Sequence, residues 1–267
     1  MNKVPNDQIY KRIDEEFKRI VKKYKLQNEK VDCSIIAKGF TGRRPKSKGS
    51  SDFLEQHMRM PSKEYALAGG NEVIVRCKFK NSHGDAFTDQ PRAFKGELKQ
   101  VLGLLFGDPG SKAIYFATLN ATLCHLGMVE GTVHCDEDEP KKCGVRLADY
   151  ILKNFDDSKI AHIGYQPGHV EACSKRFLSY VTDLNPENIG KTKFDRKIIS
   201  GLKNEEVLKK VRVACITGST LTNGSLPDLI KWCEASGTNP LIYGVSGVGA
   251  AKILGLNHFC PYGRNKP

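Results

Sequence analysis

After residue 157 the chain alternates short apolar runs with helical stretches. This alternation constrains the fold more than any other feature. The runs are Ile160-Ala161-His162-Ile163-Gly164, Tyr180-Val181-Thr182-Asp183-Leu184, Val211 to Ile216, Pro240-Leu241-Ile242-Tyr243-Gly244 and Asn257-His258-Phe259-Cys260. Helical patterns lie between them, over Leu226 to Ala235 and Ala250 to Leu254 among others. Strand-length apolar runs alternating with helices predict an α/β fold, a parallel sheet covered on both faces.

The residues before this alternation read differently. Asp7 to Lys25 predicts an amphipathic helix, because Ile9, Ile13, Phe17, Ile20, Val21 and Tyr24 recur at helical spacing. Val31 to Lys38 predicts a strand, and Gly39 to Ser51 a mobile loop. Glu72 to Lys80 alternates as a strand, with Val73, Val75, Cys77 and Phe79 on one face. Asn81-Ser82-His83-Gly84-Asp85 reads as a turn leading into Ala86 to Asp89, hence a hairpin in which Asp85 and Asp89 do turn chemistry. Helices are expected over Phe94 to Phe106, over Lys112 to Leu126 with Gly127 as its stop, and over Val145 to Phe155. A domain boundary is expected near Asp156–Asp157, giving units 1–156 and 157–267.

The chain of 267 residues suffices for one large domain or two ordinary ones. It has no run of about 18 apolar residues that would span a membrane. Its first residues lack the apolar stretch of a signal peptide. Nine cysteines, scattered and mostly in apolar surroundings, read as reduced thiols, not as a disulfide framework. These features lead us to expect a cytoplasmic protein without membrane contact. The net charge of +12 is concentrated before residue 50, in stretches such as Arg43-Arg44-Pro45-Lys46-Ser47-Lys48. Aromatics are not interleaved with these charges as a base-stacking surface requires. A solvated face is therefore expected in preference to a nucleic-acid partner. A small molecule or metal is the expected partner, and a homo-oligomer is compatible with the sequence.

In an open α/β sheet, ligands sit beyond the carboxyl ends of the strands. Those ends carry Gly164-Tyr165-Gln166-Pro167-Gly168-His169, then Asp183-Leu184-Asn185-Pro186, then Thr217 to Ser225, then Gly244 to Gly249. The candidate ligand-binding residues are Gly164, Gln166, Pro167, Asp183, Thr217, Gly218, Ser219, Thr220, Asn223, Gly244 and Ser246. Asn120 joins them, as an amide on an apolar helix that either points into a cleft or ties down a loop. No NAD or ATP site is expected. The first turn places Gln166 where a dinucleotide fingerprint needs glycine, and the glycines after Tyr243 lack the Walker Lys-Ser/Thr pair.

His134-Cys135-Asp136-Glu137-Asp138-Glu139-Pro140-Lys141-Lys142-Cys143 concentrates ligand chemistry. His134, Cys135 and Cys143 are the candidate ligands for a transition or heavy metal ion, with His125, Cys124 or a carboxylate as a fourth. Lys141 and Lys142 are expected to favour thiolate. Two other readings stand beside this one. In one, the acids simply open a helix while the thiols pack as small apolar groups; in the other, the two cysteines form a redox pair.

Several of these loops resemble one family. Ile163-Gly164-Tyr165-Gln166-Pro167, Asp183-Leu184-Asn185-Pro186, Ile216-Thr217-Gly218-Ser219-Thr220-Leu221-Thr222-Asn223-Gly224-Ser225 and Tyr243-Gly244-Val245-Ser246 are similar to the Rossmann-like domain of the "putative heavy-metal chelation" family, formerly a domain of unknown function. Gly84 to Asp89, Ala117 to Ala121 and His134 to Cys143 resemble the version with an enolase-N-terminal-like first domain. The resemblance implies an enolase-N-terminal-like α+β domain with a helical connector, then a Rossmann-like domain, with a cleft between them. It implies small-ligand binding in that cleft, of heavy metal or a metal complex, and it implies no particular reaction. An enzyme acting on a small anionic metabolite or nucleotide-like cofactor, and a binding module using the basic first fifty residues, are the alternatives.

Overall fold

The computed structural model describes residues 8–36, 60–70, 72–136, 138–156 and 159–267. The loop expected over Gly39–Ser51 and its basic run lie outside these residues.

Helix α1 (Gln8–Lys23) buries Tyr10, Ile13, Phe17, Ile20 and Val21, the stripe that the spacing predicts. Burying each large apolar side chain stabilises by about 1.5–3 kcal/mol. Strands β1 (Lys30–Ile36), β2 (Val73–Phe79), β3 (Ser82–Thr88) and β4 (Phe94–Glu97) form an antiparallel sheet in the order β3-β2-β1-β4. A short helix, α2 (Ala66–Gly69), precedes β2, and another, α3 (Leu98–Val101), follows β4.

Two expectations fail here, each for a local reason. The helix expected over Phe94 to Phe106 is a strand as far as Glu97. Phe94 to Glu97 pairs with Lys30 to Cys33, and Gly96 is a poor helix former. The hairpin turns at Lys80-Asn81, not over Asn81 to Asp85, because Phe79 pairs with Ser82 and Lys80 takes φ +53°. Gly84 is a glycine for packing. A Cβ there would stand 2.3 Å from the Ala121 amide nitrogen. Asp85 is likewise no turn residue. It is fully buried and forms a bidentate ion pair with Arg76, Nε to Oδ1 at 2.7 Å and Nη2 to Oδ2 at 2.8 Å.

Helix α4 (Pro109–His125) starts at an Asp108 cap and ends before Gly127 at φ +66°. It is apolar around most of its circumference, which suits a helix enclosed on all sides. One side packs on β2 and β3, and the other meets α1 through the Phe17–Tyr115 and Tyr10–Phe116 ring pairs.

The second sheet consists of β5 (Ile160–Ile163), β6 (Ser179–Asp183), β7 (Thr192–Lys193), β8 (Arg196–Ser200), β9 (Val213–Thr217), β10 (Asn239–Tyr243) and β11 (Asn257–Phe259). Its order is β11-β10-β9-β5-β6-β8-β7, parallel throughout except for β7 at one edge. Helices α5 (Glu139–Phe155) and α6 (Pro167–Ser174) lie before and after β5. Later come α7 (Asn204–Leu208), α8 (Thr220–Asn223), α9 (Leu226–Ser236) and α10 (Val248–Leu254).

The strand residues alternate between two cores. Ile160, Val213, Cys215, Leu241 and Tyr243 face a cluster containing Leu147, Ala148 and Ile151 of α5. Ala161, Ile163, Ala214, Ile216 and Ile242 face a larger cluster. Burial of both faces explains why these strands read as continuous apolar runs. The larger cluster also takes in α1, α4 and β1–β3, so a single hydrophobic core runs from one sheet to the other. Helix α5 starts at Glu139, a turn and a half before the expected Val145, and so carries Cys143 near its start.

Candidate functional site

Strand order places the site. From β5 the chain adds β6 and β8 on one side, then crosses to add β9, β10 and β11 on the other. The direction of winding reverses between β5 and β9, and ligands of such sheets bind at this reversal, beyond the carboxyl ends. Gly164 follows β5 there and Thr217 ends β9. Gly164 takes φ +93°, and a Cβ on it would stand 2.7 Å from Thr217 Cγ2. Glycine is required both by the left-handed backbone and by the close approach. Gly218 is pressed against the next loop, where a Cβ would meet the Gly247 amide nitrogen at 2.6 Å.

A chain of hydroxyls crosses the reversal. The Tyr243 hydroxyl donates to the Gly164 carbonyl at 3.0 Å and bonds Thr217. Thr217 Oγ1 and Ser219 Oγ are 3.2 Å apart. Ser219 bonds the carboxyl of Glu72, a half-buried residue in the segment leading into β2. Burial, then the nearby Asp183 carboxylate, push the Glu72 acid up to about 7 from the ordinary 4.5, against the Ser219 bond. Asp89 adds to the rise. Glu72 was not among the sequence candidates. It stands at the edge of a strand pattern in the other half of the chain, and no local signal ties it to Ser219.

The structure brings Gly164, Thr217, Gly218 and Ser219 together and gives most other candidates structural partners. Asp183 accepts from the Tyr165 amide at 2.8 Å, the Asn185 amide at 2.6 Å and Asn188 Nδ2 at 3.4 Å, and so pins the loop after β5 to the loop after β6. Gln166 caps α6 through the His169 amide and donates Nε2 to the Pro140 carbonyl, and Pro167 is the buried first residue of that helix. Thr220 bonds the Thr217 carbonyl at 2.7 Å. Asn223 is exposed and accepts from Ser225. The Gly244 carbonyl takes a hydrogen bond from the His258 ring at 3.0 Å.

Asn120 and Ser246 fasten the two sheets together. Asn120 is fully buried. Its Nδ2 donates to the carbonyls of Asp85 and Val245, each at 3.0 Å, and its Oδ1 accepts from the Gly249 amide at 2.9 Å. Ser246 accepts from the Phe87 amide at 2.9 Å, and Thr222 donates to the Phe87 carbonyl at 2.7 Å. Of the two roles expected for Asn120, tying down neighbouring backbone is the one these bonds describe.

The His134–Cys143 segment divides. The His134 backbone amide donates to Asp85 at 2.9 Å, its Nδ1 bonds the Cys135 carbonyl, and its ring rests on Phe87. Cys143 instead meets His169 of α6, Sγ to Nε2 at 3.3 Å. Burial pushes the Cys135 and Cys143 thiols well up, so Lys141 and Lys142 do not make them thiolates. His125 packs its ring on Phe79. Among the described residues, no group of three or more His, Cys, Asp or Glu side chains is arranged to hold a metal ion. His134, Cys135 and Cys143 as placed therefore do not fit a three-ligand centre.

The central reversal, the order of strands and the glycine turn after β5 define a Rossmann-like α/β class of protein. Residues 146–253 match the model of the family DUF364, described as "Putative heavy-metal chelation". The resemblance carried by the loops after β5, β6, β9 and β10 is thereby borne out. The chain is similar to a DUF364-family protein of unknown function from Pyrococcus horikoshii, with a TM-score of 0.52 and 14% identity, covering 90% of this chain and 80% of that one. A second such protein, from Desulfitobacterium hafniense DCB-2, gives a TM-score of 0.45 and 14% identity over 64% of this chain and 66% of that one. No curated protein matches the chain. Among the described residues, no helix is long and apolar enough to cross a membrane.

Proposed function

We propose that the protein binds a small molecule at the reversal between β5 and β9, through a cationic or hydrogen-bond-donating group presented to Glu72. One observation carries this reading. A carboxyl from the segment before β2 reaches the hydroxyl loop beyond β9, where ligands of this sheet class bind. Glu72, with Asp183 and Asp89 close by, gives the site a surplus of acid that favours donors and cations over anions. A chelated metal ion belongs to that class, and the family description supports it. Such a complex would bring most of its own donors, so the lack of a three-ligand protein site among the described residues does not count against it.

Acid–base chemistry on the bound ligand is the second reading. It is favoured by the ionisation of Glu72 near neutrality, where a carboxyl both takes and gives a proton.

Thermal-shift screening followed by calorimetry tests the binding, using small amines, guanidines and the cationic ethylenediamine complexes of copper and nickel. A bound compound is expected to lose affinity by roughly tenfold or more, about 1.4 kcal/mol, in Glu72→Gln and in Ser219→Ala. It should bind Cys143→Ser as well as wild type. A compound bound equally well by both crevice variants would sink the proposal.

A further inference from the structure

Cys33 on β1 pairs directly with Cys77 on β2, so both side chains stand on the face of the sheet that α4 covers. They are 1% and 0% exposed. The kind of pair they form follows from the ladders on either side. The Leu98 amide donates to the Glu29 carbonyl, so Glu29, Val31 and Cys33 turn their backbone groups towards β4. Phe79 and Ser82 close a two-residue hairpin, so Phe79 and Cys77 turn theirs towards β3. No backbone hydrogen bond is therefore exchanged between the two cysteines, and theirs is the narrow kind of antiparallel pair. The Cα atoms of such a pair stand about 4.5 Å apart, within the range of about 4.4–6.8 Å that a disulfide spans.

The side chains carry the same message. Thr118 Oγ1 of α4 lies 3.6 Å from Cys33 Sγ and 3.4 Å from Cys77 Sγ, so one hydroxyl serves both sulfurs. The two thiols also bond each other. That bond, helped by the one from Thr118, holds the Cys33 thiol below its ordinary 9.0 against the effect of burial. Burial pushes Cys77 well above the same value. The two sulfurs are thus unequal, and Cys33 is the readier to become thiolate. On its other side Cys33 pairs with the half-buried Phe94 of the edge strand β4, which stands between it and the open edge of the sheet.

We propose that Cys33 and Cys77 are an oxidisable dithiol that hydrogen peroxide converts to a cross-strand disulfide, with Cys33 attacking and Cys77 resolving. The Cys33 sulfur attacks one peroxide oxygen, the O–O bond breaks, and the departing hydroxide takes the thiol proton to leave as water. Cys33 is then a sulfenic acid. The Cys77 sulfur attacks it, the S–O bond breaks, and a second water carries away the Cys77 proton. Two electrons pass from the sulfurs to the peroxide, and no other reactant is needed. Burial favours an oxidant as small as a peroxide over a bulky disulfide, and the register supplies the resolving thiol without rearrangement of the strands.

Peptide mapping of the folded full chain tests the assignment. Wild type is treated with hydrogen peroxide, its remaining thiols are blocked with N-ethylmaleimide, and it is digested without reductant. The Cys33 and Cys77 peptides are expected to be joined, and dithiothreitol should separate them. In Cys77→Ser, dimedone should label Cys33 as the trapped sulfenic acid, whereas Cys77 in Cys33→Ser should stay unlabelled. The oxidised wild type should unfold cooperatively with its thermal midpoint raised by roughly 5 °C or more. Recovery of both cysteines as blocked thiols, or Cys33 joined to any other cysteine, would overturn the proposal. So would a cross-link that lowers the midpoint, because it would have been formed by unfolded chain. The wild-type map decides the matter even if a serine variant fails to fold. Glu72→Gln should oxidise as wild type does, since the pair is independent of the crevice.

Discussion

His162 shows how one side chain sets the response of the protein to acid. Its ring is fully buried on β5 and neither nitrogen is bonded. Burial holds it down to about 4, and burial also depresses His169, which stands beside it. An unfolded chain protonates such a ring near 6.5, so below that pH the unfolded state binds protons that the folded state refuses. The stability contributed is therefore complete above about 6.5 and declines as pH falls towards about 4. Replacing His162 with Leu removes two unbonded nitrogens from the core, and should stabilise the fold at pH 7 by about 1 kcal/mol or more. It should also make the loss of stability between pH 6.5 and 4 shallower. Urea denaturation at a series of pH values checks both effects, and an acid limb as steep as that of wild type would refute the account. Nothing local to His162 in the chain reveals this. A lone histidine in an apolar strand reads as a bonded core residue, and whether a partner reaches it is decided by α5 and α6. Glu72 was hidden for the same reason. Its chemistry comes from Ser219 and Asp183, which lie far along the chain.

At the scale of elements, what was legible follows burial. The parallel strands are enclosed on both faces, so their apolar runs stand out, and β5, β6, β9, β10 and β11 fall where those runs predict. The glycine turn after β5 was legible too, because a left-handed backbone needs that residue. The pattern misled where glycine serves close packing. Gly84 reads as a turn but admits α4 to the sheet, and Gly96 sits in a strand that reads as a helix. The small edge hairpin of β7 and β8 has little apolar signal, with Ile198 its main buried residue, and was not anticipated. The α5–α6 contact offers a direct test of glycine as a packing residue. Gly144→Ala should destabilise by about 2 kcal/mol or more, because the obstructing atom is backbone and cannot swing away. Gly103→Ala, where a Cβ meets nothing within 4 Å, should stay within about 0.5 kcal/mol of wild type. Chemical denaturation of the two variants separates them, and equal midpoints would contradict the packing account.

Over the whole molecule, the two sheets share one core and a line of polar fastenings. Strand β3 is an edge of the first sheet, with unpaired backbone that invites aggregation unless covered. Here Asn120, Thr132, Thr222 and Ser246 bond the backbone of His83, Asp85 and Phe87 along it. A chain ending at residue 156 would uncover that edge at Phe87, and would expose the outer side of α4 and the inner face of α5 carrying Leu147, Ala148 and Ile151. Expressed alone, residues 1–156 are expected to aggregate, and co-expression with residues 159–267 should restore a soluble complex. Size-exclusion chromatography distinguishes the outcomes, and a soluble monomer of 1–156 with native circular dichroism would disprove this dependence. The covering of β3 also bears on how such a protein can change over evolutionary time. A recombination that exchanged either sheet for a foreign one would carry only one partner of the Ser246–Phe87, Thr222–Phe87 and Asn120–Val245 bonds. The unit inherited together is therefore the seam itself: Asn120, Thr222, Ser246 and the three residues of β3 that they and Thr132 hold.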